Sequence, residues 1–226
     1  MGQILHRSET GSTATVMSIE SAQAVVASVS SLSDWRRQLP VLTGKRAVLR
    51  ELRPTDASSL FTYLTAEEVT RHVSAPPSTV EGFERFISWV KREQAAGRFV
   101  CYAITLVGED IAVGIMQVRL TGRGTAECGA VIGEPFWGTG AFEEAAGLVA
   151  GFAFKTLGAH RLEARVSVDN ERCLKALRRI GAVQEGVLRQ SLSLRGERHD
   201  QVMFSLLEDD YVALRVGRRP TEHVIH

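Results

Sequence analysis

Residues 135–145 read Pro-Phe-Trp-Gly-Thr-Gly-Ala-Phe-Glu-Glu-Ala, and they join a strand-like run, Thr125 to Ile132, to a helical run, Phe142 to Leu157. The first turn of a helix has no internal acceptors for its N–H groups. Those donors, at the positive end of the helix dipole, make a seat for phosphate. Glycine at Gly138 and Gly140 removes the Cβ atoms that would hold a diphosphate off the backbone. A strand, a glycine turn and a helix in this order point to a layered α and β structure and suit an anion seat at the junction.

Composition narrows the class. A chain of 226 residues with 44% hydrophobic content suits one main domain. The 27 basic residues nearly match the 26 acidic ones, so neither a nucleic acid nor a membrane surface is expected as a bulk partner. Arg178-Arg179 and Arg218-Arg219 read as solvated clusters. Cys101, Cys128 and Cys173 are an odd, widely spaced set without a CxxC pair, which argues for reduced thiols and a cytoplasmic setting. The histidines show no zinc-ligand spacing, so no metal is expected. Ala22 to Val29 is too short and interrupted to read as a signal peptide or a span.

The periodicity then sets the order of elements. Residues 1 to 17 are rich in Gly, Ser and Thr and read as disordered. Val25, Val29, Leu32, Trp35 and Leu39 fall on one helical face, which predicts an amphipathic helix from Ser18 that Pro40 stops. Arg46 to Leu52 reads as a strand. Pro54-Thr55-Asp56 opens a helix with Asp56 as N-cap, and Thr79 opens another that ends at Gly97. Three strands follow as a meander, Phe99 to Val107, Ile111 to Leu120 and Thr125 to Ile132. After the glycine turn and its helix come a strand from Arg161 to Val168, a helix from Glu171 to Ile180, and a hairpin of Ala182 to Leu194 and Asp200 to Leu207. This is an α+β layer fold around one sheet.

That order, with four segments, resembles the GNAT superfamily of acyl-CoA-dependent N-acetyltransferases. Within it the chain is similar to the branch of ribosomal-protein N-terminal acetyltransferases (Rim-type). Residues 49–74 look like the family's opening strand and substrate-side helix. Residues 126–145 look like its strand and pyrophosphate loop, and residues 163–182 like the next strand and an Asn-led helix. Residues 197–211 resemble the branch's closing strand. The resemblance implies a mixed, mostly antiparallel sheet flanked by helices, with an extra N-terminal helix. It divides the chain into a disordered start plus amphipathic helix (1–41), a GNAT domain (42–211) and a tail (212–226).

The activity implied is transfer of an acetyl group from acetyl-CoA to a primary amine, on a protein N-terminus or a small molecule, by direct attack in a ternary complex. A homodimer stays open. For the diphosphate the candidates are Gly138, Thr139, Gly140, Ala141 and Phe142. The resemblance adds the backbone of Val131, Ile132 and Gly133 beside the pantetheine arm, and Asn170 and Cys173 across from it. Glu127 is the candidate base, taking the amine's proton through water. Where the superfamily often has a basic loop residue this chain has Thr139, which implies less charge at the diphosphate. Where it often has a Tyr that protonates the thiolate this chain has Leu177, so the general acid is unnamed. Arg71, His72, Arg189 and Arg198 fall where the acceptor groove would be walled.

Plainer readings stand beside these. The glycines could simply make a tight connection, and Asn170 could be only an N-cap. Glu127 could pair across strands with Arg119, and Cys173 could be an inert buried thiol. A non-catalytic acyl-CoA-binding module or sensor is the alternative function. A dinucleotide fold fits poorly, because the third glycine of its fingerprint would fall on Glu143.

Overall fold

The computed structural model describes residues 34–215. Its strands are β1 (Leu42–Thr43), β2 (Ala47–Glu51), β3 (Phe99–Leu106), β4 (Gly114–Gly122), β5 (Thr125–Ile132), β6 (Arg161–Ser167), β7 (Val183–Leu194) and β8 (Glu197–Leu207). Its helices are α1 (Ala57–Leu64), α2 (Glu67–Thr70), α3 (Val80–Ala95), α4 (Ala141–Lys155), α5 (Glu171–Arg179) and α6 (Glu208–Arg215), with short 3-10 turns at Pro54–Asp56 and Glu134–Phe136. The strands form one sheet in the order β1-β2-β3-β4-β5-β6-β8-β7. Among the described strands β5 and β6 are the only parallel pair, and the expected mixed, mostly antiparallel sheet is what forms.

β3 is buried on both faces because two layers cover it. On one face Val100, Tyr102 and Ile104 meet Val149, Phe152 and Ala153 of α4. On the other, Phe99, Cys101 and Ala103 meet Leu60 and Leu64 of α1 and Phe83, Ile87 and Val90 of α3. A smaller cluster joins Val166, Val202 and Phe204 to Leu174 and Leu177 of α5. Local chemistry sets several ends. Thr79 accepts the Gly82 N–H at 3.0 Å and caps α3. Arg195 and Gly196, at φ 51° and 86°, make the tight β7–β8 turn, which needs positive φ at both central residues.

Three expectations change. Asp56 does not cap α1 with its side chain. Its carboxylate accepts the Arg53 N–H at 2.7 Å and a two-pronged bond from Arg50, at 2.8 Å on each prong. The predicted N-terminal helix falls mostly on residues 18–33, outside the described residues, and its described end is a turn. A helix through Leu39 would place the Leu39 N–H on the Trp35 carbonyl. Instead Glu51 takes that N–H at 2.8 Å and Gln94 donates to that carbonyl at 3.0 Å. Trp35 and Leu39 are thereby fixed in the main core, upstream of the expected boundary at residue 42. At the other end α6 runs from Glu208 to Arg215, into residues read as tail.

Candidate active site

Strands β5 and β6 run side by side for three residue pairs, Thr125 with Arg161, Ala126 with Leu162 and Glu127 with Glu163. Past that point β5 continues to Ile132 and β6 to Ser167, without pairing to each other. A parallel pair that stops early leaves a wedge with unladdered backbone along its inner edges, and such groups need other partners. Two chambers occupy the wedge, with open volumes of about 870 and 940 Å³. His72, Val73, Ala130, Phe142, Asn170 and Cys173 border both and mark the waist between them. The first chamber reaches inward to Val149 and Leu177, and the second opens past Trp137, Gly138 and Arg172. A groove of about 890 Å³ runs between residues 73–78 and Ser193, Leu194 and Arg195 of the β7–β8 hairpin, and Val73 borders it as well.

The glycine turn closes the second chamber. Gly138 and Gly140 have φ of 73° and 80°, a region that side-chain-bearing residues avoid. At Gly138 a Cβ would meet nothing within 4 Å, so there it is the backbone angle that requires glycine. Among the described residues the N–H groups of Gly138, Gly140, Phe142 and Glu143 have no backbone acceptor. Thr139 braces the turn from within: its hydroxyl donates to the Phe136 carbonyl at 2.8 Å and accepts the Ala141 N–H at 3.3 Å. Trp137 donates from Nε1 to the Ile132 carbonyl at 3.0 Å, and the Arg172 guanidinium carbon lies 3.4 Å from the Trp137 ring centroid. On the far side, a Cβ on Gly133 would lie 2.9 Å from Cβ of Tyr63, so α1 packs directly against the loop.

Positive charge reaches the turn from another element. A Cβ on Gly140 would lie 3.4 Å from Cδ and 3.5 Å from Nε of Arg46, on the β1–β2 turn. That turn is tied to α4 by Glu144, whose carboxylate accepts the N–H groups of Lys45, Arg46 and Ala47 at 2.8, 2.6 and 2.8 Å. Burial opposes the Glu144 charge, but those three donors outweigh it and lower the carboxyl pKa. The charge missing at Thr139 is thus supplied beside the same turn by a residue distant in sequence.

The family described as the acetyltransferase (GNAT) domain matches residues 46–183. The chain belongs to the GNAT acetyltransferases. N-acetyltransferase p20 of Bacillus licheniformis, itself uncharacterized, is 28% identical over 176 residues, 76% of this chain and 99% of its own. YdaF of Bacillus subtilis (strain 168), provisionally named a ribosomal N-acetyltransferase, is 34% identical over 86 residues, 38% of this chain and 47% of its own. The structure of Mycobacterium smegmatis RimJ in complex with CoA-disulfide aligns with a TM-score of 0.68 over 76% of this chain and 90% of that one. At 21% identity it speaks for the fold.

Within this GNAT domain the residues singled out from sequence are not all brought together. Val131, Ile132, Gly138, Phe142, Asn170 and Cys173 line the cleft. Gly133, Thr139, Gly140 and Ala141 shape the loop without lining either chamber, and Ala141 is fully buried. Asn170 is an N-cap, accepting the Cys173 N–H at 3.1 Å, and it borders the waist as well. Glu127 lies outside both chambers. It borders a side hollow of about 350 Å³ with Phe99, Gln117, Arg119 and Gly129, at the closed end of the wedge. It faces Arg119 on β4, and no ion pair forms between them. Burial pushes the Cys173 thiol up to about 11, and burial with the Glu127 charge pushes Cys128 up to about 12. Neither thiol is reactive in that state.

His72, Arg46 and the Trp137–Arg172 stack are the features that sequence reasoning missed or underrated. Of the residues placed on the acceptor side, His72 lines the cleft, while Arg195 borders the groove in place of Arg189 and Arg198. No cluster of three or more metal-ligating side chains occurs among the described residues, and no described helix is long and apolar enough to cross a membrane.

Proposed function

We propose that the chain transfers an acetyl group from acetyl-CoA to a primary amine, by direct attack with both substrates bound, in the cytoplasm. The observation that carries the proposal is the wedge where β5 and β6 part after Glu127 and Glu163, with the glycine turn beside one chamber and the groove meeting the waist at Val73. The residues fit the cofactor end to end. Free N–H groups of the turn, the α4 dipole and the Arg46 guanidinium suit a diphosphate. The unladdered edge of β5 and the side-chain amide of Asn170 suit the amide-bearing arm. Holding donor and acceptor in one cleft supplies much of the rate.

The acceptor enters along the groove beside Val73. Its walls join Thr70, Ser74, Ser78, Ser193 and Arg195 to apolar Val73, Pro76, Pro77 and Leu194, a mixed surface that suits an extended peptide start or a small amine. The relative named for a ribosomal substrate favours a protein acceptor. Glu127 is assigned the first proton, the one an incoming ammonium must lose before it can attack, relayed by water from the side hollow.

The test is a screen of peptides and small amines with free CoA as the readout, beside thermal shift. Acetyl-CoA is expected to raise the Tm and NAD to leave it alone. No shift with any acyl-CoA would end both this reading and that of a binding module. Binding without turnover of any amine would select the sensor. With an active acceptor in hand, Glu127→Gln should lower kcat by about 100-fold. An unchanged rate removes Glu127 as the base.

A further inference from the structure

We infer that His72 carries the second proton of the reaction, from the attacking amine to the departing thiolate. This inference rests on the acetyl-transfer reading above. The superfamily position that would hold a proton donor is Leu177, which has none to give.

His72 stands in the turn after α2 and borders both chambers at their waist. The waist also carries Val73, which borders the acceptor groove, so an amine arriving along the groove meets the cleft beside this imidazole. Among the residues at the waist only His72 and Cys173 can titrate, and the Cys173 thiol is pushed up to about 11 by burial. Of the acidic groups on the chambers, Glu163 pairs with Arg161 at 2.9 Å and Glu143 with Arg179 at 3.3 Å, while Glu68 is exposed and borders the second chamber alone, away from the waist.

Burial lowers the His72 pKa below its ordinary value; Asp169 opposes the shift, and Arg71, Arg172 and His199 reinforce it. The imidazole is therefore neutral near pH 7, with one nitrogen free to accept. The charge of Asp169, which lies just before α5 and 4.0 Å from His199, favours the imidazolium once formed. A weakly basic imidazole that gains a proton is in turn a competent acid toward a thiolate, which is the stronger base.

The step balances. The amine lone pair forms the C–N bond, and the nitrogen's proton passes to His72. The electrons of the C–S bond leave with sulfur, and the imidazolium proton follows to give the free thiol. His72 ends neutral, ready for another cycle. Glu127 and His72 thus handle different protons, one before attack and one during it.

The experiment uses His72→Gln in the full chain, with acetyl-CoA affinity measured by calorimetry and turnover measured separately. The affinity should be unchanged. The kcat with acetyl-CoA should fall by about 100-fold, and the limb of kcat that declines below the ordinary histidine pKa should vanish. With an acetyl thioester of nitrothiophenol, whose thiolate leaves unprotonated, variant and parent should turn over at matching rates. In His72→Ala, added imidazole should restore part of the loss. An unchanged kcat overturns the inference, and so does an equal loss with both donors or a loss that imidazole does not mend. A parent protein that binds no acetyl-CoA overturns the acetyl-transfer reading instead.

Discussion

The half of the sheet from β2 to β5 and the half made of β6, β8 and β7 are built differently. In the first, apolar clusters lie on both faces, and β3 is buried along nearly its whole length. In the second, one face carries a small apolar cluster against α5, and β7 alternates half-buried and exposed residues. Near β6 the other face holds charge: Arg161 bridges Glu163 and Glu185, and Ser205 donates to Glu185 at 2.7 Å. The double-covered half holds the glycine turn through Tyr63 and Glu144. The single-covered half supplies Asn170, Cys173 and the hairpin wall. They join through three residue pairs, and that short seam is what leaves room for a ligand between them.

The largest expected effect lies in the double-covered half. Asp56→Ala would leave Arg50, 6% exposed, without its two-pronged partner, and should cost about 3–5 kcal/mol in urea unfolding. A loss under about 1 kcal/mol would mean that Asp110 alone satisfies the guanidinium, and that the two halves differ less than their burial suggests.

A smaller effect is expected at the turn between α4 and the β1–β2 edge. Arg46→Ala should leave stability alone, since the side chain is exposed, and weaken acetyl-CoA binding about tenfold, or ~1.4 kcal/mol. Equal affinity would show that backbone donors alone hold the diphosphate.

The smallest effect belongs to the charged face of the second half. Arg161 lowers the Glu185 carboxyl to about 2, burial works against that, and Ser205 helps it. A depressed carboxyl contributes stability that is present above the ordinary Glu value of 4.5 and is lost as pH falls toward 2. Glu185→Gln should therefore lose less stability than the parent over that window. At neutral pH the change should be under about 1 kcal/mol, because the pair is partly exposed. A Gln variant as acid-sensitive as the parent would place the acid response in other carboxylates.

Local chemistry made most elements legible. Thr79 ahead of an apolar stripe, Gly97 after it, Asn170 ahead of α5 and a turn within Arg195-Gly196-Glu197-Arg198 each act over a few residues, so they could be read from order alone, though the last strand begins at Glu197 and not at Asp200. The 3.6-residue pattern through Trp35 and Leu39 failed because Glu51 and Gln94, far along the chain, took the groups that a helix would have used. Asp56 sits at a helix start, as its residue type suggests, but a buried arginine claimed its carboxylate.

The site divides in the same way. The sequence by itself determined the glycine turn at a strand–helix junction, the Asn-led helix and the residues along β5, because backbone angle and alternation are local properties. Only the tertiary structure decided that β5 and β6 part after Glu127, which set that carboxylate outside the chambers and His72 at their waist. It also decided that Arg46 stands beside Gly140 in place of a charged loop residue. Those placements depend on which elements pack together, and pairing between distant segments leaves no spacing for a single sequence to show.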